Sequence, residues 1–138
     1  MTSRQTSAAL RQGGVDGGRQ SGARLSRFDA ACHHVRCNLC GDLRLDIIAK
    51  QFDMAPSSFS HWFHGQAQRR GMPGGYKTFV IRARMERAEQ LLSTTDLMVR
   101  DIATAVGFSS HQLLNQHFRS RHGATPSAWR RAQSILRR

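Results

Sequence analysis

Three features are scarce in this sequence of 138 residues: acidic side chains, prolines and long apolar runs. Nine Asp and Glu stand against 21 Lys and Arg, so the formal net charge is +12. That imbalance disfavours a small neutral substrate and favours an anionic partner such as nucleic acid. No apolar run approaches the roughly 20 residues of a membrane span, and the N-terminus lacks the apolar core of a signal peptide. We therefore expect a cytoplasmic protein with no membrane partner.

Proline is confined to three positions, each just after a plausible turn: Pro56, Pro73 and Pro126. Elsewhere apolar residues recur at helical spacing, and no stretch shows the alternation of a strand. One such stripe consists of Phe28, Cys32, Val35 and Leu39. The pattern predicts an all-α fold with about seven helices, at residues 26–39, 45–52, 56–64, 76–93, 99–106, 110–121 and 126–135.

The first 25 residues differ from the rest in composition. They are rich in Gly, Ser and Gln, and their four arginines outnumber a single aspartate. This composition predicts a flexible basic arm at residues 1–25. Residues 26–135 are then long enough for one compact domain.

The strongest signal is an internal repeat. The first copy reads Ile48-Ala49-x-x-Phe52-Asp53-Met54 and continues to Phe59 and Phe63, and the second reads Ile102-Ala103-x-x-Val106-Gly107-Phe108 and continues to Leu114 and Phe118. Each copy places a small Ala where two helices cross, then a turn residue, then a helix with an i, i+4 apolar pair. This order predicts two helix-turn-helix units, at about 45–64 and 99–121, joined by a long linker helix at about 76–93. Gly107 suits a left-handed turn, whereas Asp53 adopts one at some cost.

Burying the apolar pair of each second helix turns short polar side chains outward. Such groups can hydrogen-bond base edges in a major groove, and Gln and Asn suit bidentate contacts with adenine. The candidate base-reading residues are Ser57, Ser60, His61, His111, Gln112, Asn115 and Gln116.

Arginines flank these two helices rather than occupying their outward faces. A guanidinium group can grip a DNA phosphate without reading the base sequence. The candidate phosphate contacts are Arg69, Arg70, Arg119, Arg121, Arg130 and Arg131.

Three segments resemble the AraC/XylS family of bacterial transcription regulators: 84–92 (RMERAEQLL), 101–110 (DIATAVGFSS) and 123–130 (GATPSAWR). The resemblance implies a DNA-binding domain at 26–135 whose two units enter successive major grooves. It also implies a sequence-specific transcription regulator, an activator associated with the bacterial nucleoid, with RNA polymerase as a second partner. The residues before the first helix are too few for a separate sensor or dimerisation domain, so we expect either a stand-alone regulator that binds as a monomer or a truncated descendant of a longer regulator.

The chain departs from the family pattern at the starts of three helices. Ala55 stands where the family usually has a capping Ser, and Arg44 and Met98 occupy the corresponding sites before two other helices. A lost cap typically costs about 1 kcal/mol. We therefore expect these helices to begin without a side-chain cap.

Two other readings of the sequence remain as alternatives. A protein that binds nucleic acid without sequence preference would need only the basic charge. A thiol- or metal-responsive regulator would use Cys32, Cys37 and Cys40, since Cys-x-x-Cys has chelating spacing, but Cys32 lies on an apolar stripe and no second pair follows. We favour packing and incidental surface thiols, and so expect no metal and no cofactor.

Catalysis is not indicated by any cluster of residue types. Ser60 and His61 are adjacent in sequence, so on a helix their side chains point in different directions and cannot form a nucleophile and base pair. The sequence therefore predicts a protein that is not an enzyme.

Overall fold

The structure, a computed structural model, describes residues 25–136. Seven helices follow one another in this part of the chain, without a strand: α1 (Arg27–Cys37), α2 (Leu45–Gln51), α3 (Pro56–Arg69), α4 (Tyr76–Thr94), α5 (Val99–Val106), α6 (His111–His122) and α7 (Pro126–Leu136). The predicted all-α class is confirmed. The predicted basic arm lies outside the described residues except for Leu25. In the described part of the chain, no helix combines the length and apolarity needed to cross a bilayer.

Helix α3 continues past its predicted end at residue 64 and stops at Arg69. The reason is Ala67, which extends the buried i, i+4 row of Phe59 and Phe63 by one more turn. Gly65 lies within this helix with open space where a side chain would be. It therefore marks a solvent-facing position and not a break.

Two hydrophobic cores lie on successive parts of α4. The first core packs α1, α2 and α3 against Tyr76, Phe79, Val80 and Ala83 of α4. The second core packs α5 and α6, with Trp129 of α7 at its edge, against Met85, Ala88 and Leu92. Helix α4 therefore belongs to both helix-turn-helix units and fixes one relative to the other.

The helix starts differ in how their free N–H groups are bonded. The Oγ of Ser26 accepts from the Asp29 amide at 3.0 Å, and the Oγ of Ser110 accepts from the Leu113 amide at 3.1 Å. Helices α2, α3 and α5 follow Arg44, Ala55 and Met98 and have no side-chain cap, as predicted. Helix α6, the second helix of its helix-turn-helix unit, is thus capped, whereas α3, its counterpart in the first unit, is not.

Replacing Ala55 with Ser is expected to stabilise the protein. The backbone at Ala55 (φ −68°, ψ 151°) already has the extended conformation of a capping residue, so a Ser hydroxyl can accept from an amide of the first turn. We expect the free energy of unfolding in urea to rise by about 1 kcal/mol. Ala55→Val, which adds bulk without an acceptor, should give no gain, and an equal gain in both variants would contradict the capping explanation.

Both helix-turn-helix turns use a left-handed residue at the predicted position. Gly107 has φ +97°, and Asp53, at φ +56°, is the only described residue other than glycine with positive φ. The two turns therefore have similar geometry, and Asp53 adopts it with the strain that a side chain brings.

The two units touch where the loop after α1 meets the turn after α5. The carbonyl of Leu39 accepts from Nε of Arg84 at 3.0 Å. Gly107 lies directly against the same carbonyl, at a distance that leaves no room for a Cβ. This three-way contact supports the arrangement that α4 sets.

Candidate nucleic-acid interface

Helix α6 presents the most complete set of predicted reading residues. Leu114 and Phe118 are fully buried, which turns His111, Gln112 and Gln116 to solvent, with Asn115 half-buried beside them. The four side chains that were predicted to read bases on α6 therefore share its outer side.

Helix α3 follows the same principle with one exception. Ser57 and His61 are exposed opposite the buried Phe59 and Phe63. Ser60 is half-buried and lies with Tyr76 in the wall of a cleft. We expected it on the outward face, but it lies on the flank of α3 that faces the start of α4.

The predicted phosphate contacts divide into two groups. Arg69, Arg119 and Arg131 are exposed, and within residues 25–136 their guanidinium groups have no hydrogen bond or ion pair. Their positions at the ends of α3 and α6 and on α7 place free positive charge near α3 and α6, the two helices that are predicted to read bases and are called the reading helices below. These three side chains are available to an external anion.

The other three arginines have partners inside the protein. Arg70 lies over the ring of Phe28, with its Cζ 4.4 Å from the ring centroid, and donates to Oε1 of Gln66 at 2.9 Å. Arg130 donates to the carbonyls of Leu92 and Thr95, both at 3.1 Å. Arg130 therefore joins α7 to the end of α4, a role that the sequence pattern did not reveal.

Arg121 belongs to a cluster that sequence reasoning missed. One carboxylate oxygen of Glu89 lies 2.8 Å from Nε of Arg121 and 2.6 Å from Nε2 of His122. The His122 ring packs against Phe118 and Trp129, with centroid distances of 4.5 and 5.5 Å. Because Glu89 is 32 residues from Arg121, no local spacing rule would have joined them. The pair holds the end of α6 against α4.

An open cleft of about 760 Å³ lies between the two helix-turn-helix units. The loop after α1 and the start of α2 (residues 41–45), together with Ser60 of α3, line it from the first unit, and the turn at 107–109 with Leu113 and His117 of α6 lines it from the second. Lys77, Val80 and Ile81 of α4, the helix that joins the two units, form the floor.

The three cysteines are not gathered into one site. Cys32 is buried in the first core, and burial raises the pKa of its thiol to about 11. Cys37 and Cys40 are exposed free thiols, and Sγ of Cys37 lies 3.4 Å from Nε2 of His33. Within residues 25–136, no group of three or more His, Cys, Asp or Glu side chains is arranged to hold a metal ion. A trio of Cys32, Cys37 and Cys40 therefore has no geometric basis.

A protein-family model described as "Helix-turn-helix domain" matches residues 48–132, which is more than half of the chain. Among curated proteins, the chain is 31% identical over 105 residues to the regulatory protein PocR of Salmonella typhimurium, covering 76% of this chain and 33% of PocR. It is 35% identical over 98 residues to the HTH-type transcriptional activator AarP of Providencia stuartii, covering 70% of this chain and 67% of AarP. The chain thus spans about a third of the length of relatives such as PocR.

Solved structures share the fold. The DNA-binding domain of AdpA, described as a global transcriptional factor in complex with a target DNA, superposes with a TM-score of 0.74 at 24% identity, covering 82% of this chain and 97% of that one. A transcriptional regulator from Chromobacterium violaceum, described among AraC-type DNA-binding domain-containing proteins, gives a TM-score of 0.64 at 25% identity, covering 75% and 88%. The arrangement of two helix-turn-helix units on one helix is therefore shared with proteins of this type.

Proposed function

Because the chain belongs to the AraC family of helix-turn-helix transcription regulators, we propose that it binds double-stranded DNA sequence-specifically to regulate transcription. Helices α3 and α6 then enter successive major grooves, about 34 Å apart along one face of the duplex. The observation that carries the proposal is the pairing of two exposed polar helix faces with free arginines at their ends.

The polar side chains of the two helix faces and the free arginines suit different tasks. Gln112, Asn115 and Gln116 of α6 are amide donors and acceptors that suit adenine edges, and Ser57 and His61 of α3 offer a hydroxyl and an imidazole that can also hydrogen-bond to base edges. Arg69, Arg119 and Arg131 hold the backbone and thereby set the register of the protein on the duplex. We propose no phosphate contact for Arg130, because its donors bond to carbonyls of α4 and the loop after it.

One chain supplies both reading helices, so we propose that a monomer spans two grooves. We further propose that the bound protein activates transcription by contacting RNA polymerase on the bacterial nucleoid. Support for activation comes from AarP, which is described as a transcriptional activator. The family consists of DNA-binding regulators and not of enzymes, and we propose no catalytic role.

Selection from random duplexes tests the proposal. The full chain is mixed with a random duplex library, and the retained DNA is sequenced and then challenged with an excess of unrelated DNA. Specific binding should exceed non-specific binding by a factor of 10³ or more, a typical ratio for regulators. Retention of all sequences alike would favour the alternative of non-specific nucleic-acid binding.

Replacing Gln112 or Gln116 with Ala is expected to change base preference at one position of the selected site. A bidentate contact to a base is worth about 1–3 kcal/mol of discrimination, so preference there should relax by roughly 5-fold to 150-fold. Fluorescence anisotropy on a panel of single-base variants of the site measures this. An equal loss on every sequence would show that the residue does not read a base.

Arg119→Gln provides the matched control for the glutamine variants. Its free guanidinium lies on the same helix, and a lost phosphate contact weakens binding on all sequences while reducing the salt dependence. Base preference should then remain unchanged. A shift in base preference with this variant would contradict the division between residues that read bases and residues that contact phosphates.

A further inference from the structure

The cleft between the two units contains one of the two lysines of the chain. Lys77 lies in the first turn of α4, on the cleft floor, and is exposed. Lys50, the other lysine, is exposed in the last turn of α2 and does not line the cleft. The chain therefore provides one lysine inside the cleft and a natural control outside it.

The charged neighbours of Lys77 in the cleft are already bonded. Arg44 forms two hydrogen bonds with the carboxylate of Asp42, both at 3.0 Å. Arg84 donates from Nε to the Leu39 carbonyl. Within the described residues the ammonium group of Lys77 has no hydrogen bond or ion pair. Among the lysine and arginine side chains that line the cleft, Lys77 is thus the one without a partner in the described residues.

The position of the cleft indicates what fills it when DNA is bound. It lies between the two units whose helices α3 and α6 enter successive major grooves, and residues of both units line it. Between two successive major grooves on one face of a duplex lie the minor groove and its two sugar-phosphate backbones. The space between the two units therefore stands over backbone, and a cation on the cleft floor is placed to neutralise the phosphate that faces it.

We propose that this cleft seats the DNA backbone between the two major grooves, and that Lys77 is its phosphate contact. The inference rests on the proposed function and deepens it by adding a third contact region, midway between the two reading helices. The half-buried apolar side chains of Ile81 and Leu113 face the less polar deoxyribose rings. Ser60, which the fold turns away from the outer face of α3, adds a hydroxyl donor to the wall.

The cleft volume also falls in the range of small-molecule sites, so an amphipathic anion is the competing occupant. Two observations favour DNA. The cleft is open, and both DNA-binding units contribute to its lining, including Leu113 and His117 of α6. A duplex seated by α3 and α6 covers the cleft without any additional partner.

Lysine footprinting tests the proposal directly. The full chain is treated with limiting acetic anhydride, alone and with a saturating duplex recovered from the selection, and acetylation at each lysine is read by mass spectrometry. We expect DNA to slow acetylation of Lys77 at least 5-fold and to leave Lys50 unchanged. Equal rates at Lys77 with and without bound DNA would overturn the proposal, and leave the cleft to a small ligand, while the proposed function stands.

A salt titration supplies the second readout. A lysine that neutralises one phosphate contributes about 0.9 to the slope of log K against log salt concentration. Lys77→Gln should reduce the slope by about 0.9, and Lys50→Gln should leave it unchanged. Equal slopes for Lys77→Gln and the unmodified protein would overturn the proposal. Failure of the unmodified protein to bind any duplex would instead overturn the proposed function and this inference together.

Discussion

Replacing Gly107 with Ala is expected to lower the free energy of unfolding by about 3 kcal/mol or more, at the upper end of what a single backbone strain costs. Two separate effects contribute. The residue has φ +97°, a conformation in which an L side chain is strained. The added Cβ would also collide with the Leu39 carbonyl oxygen and lie 2.8 Å from Nε of Arg84. Backbone of the first unit therefore has to move away from the second.

Gly123→Ala separates the two effects. Gly123 has a similar φ of +70°, but a Cβ there would meet no atom within 4 Å. It should therefore show the conformational strain alone, about 1–2 kcal/mol. Unfolding in urea, followed by circular dichroism, measures both variants. Equal losses at Gly107 and Gly123 would show that the contact with Leu39 contributes nothing.

Replacing Phe63 with Ala is expected to cost about 3–5 kcal/mol, the usual range for a fully buried phenylalanine. The ring is fully buried and lies 4.7 Å from Phe28, 5.5 Å from Tyr76 and 5.6 Å from Phe79, centroid to centroid. It thus joins three helices, α1, α3 and α4, at one point of the first core. A void there removes contacts from all three.

Tryptophan fluorescence can follow the unfolding of each unit separately in this variant. Trp62 packs against the first core and Trp129 against the second, so Trp129→Phe leaves only the reporter of the first unit. In that background, Phe63→Ala should shift the fluorescence transition in urea by the full 3–5 kcal/mol. Phe63→Leu, which retains most of the volume, should cost less than about 1.5 kcal/mol. A loss below that value for Phe63→Ala would show that the first core collapses around the void.

The sequence alone was sufficient to predict the helix order and the two turns, because these depend on local signals. Apolar pairs four residues apart identified α3 and α6, and Gly107 identified the second turn. The end of α3 was placed too early, at residue 64, because the buried Ala67 continues the apolar row for one more turn.

The exposure of the candidate site residues was predictable where the helical period alone decides it, as for Gln112 and Gln116. It was less so where long-range packing decides. Arg130 was read as a free cation because its carbonyl partners lie 35 and 38 residues away in sequence. Ser60 was assigned to the outer face because periodicity does not show that α4 begins beside it.

Helix α4 fixes both the distance and the relative rotation of the two helix-turn-helix units. The buried residues of the first core end on it at Ala83 and those of the second begin at Met85, so a residue inserted beside Arg84 would rotate one unit against the other by about 100° and advance it by about 1.5 Å. An inserted base pair cannot compensate for this change, because it rotates one half-site relative to the other by only about 34°. Natural target sites should therefore have a constant number of base pairs between their two half-sites.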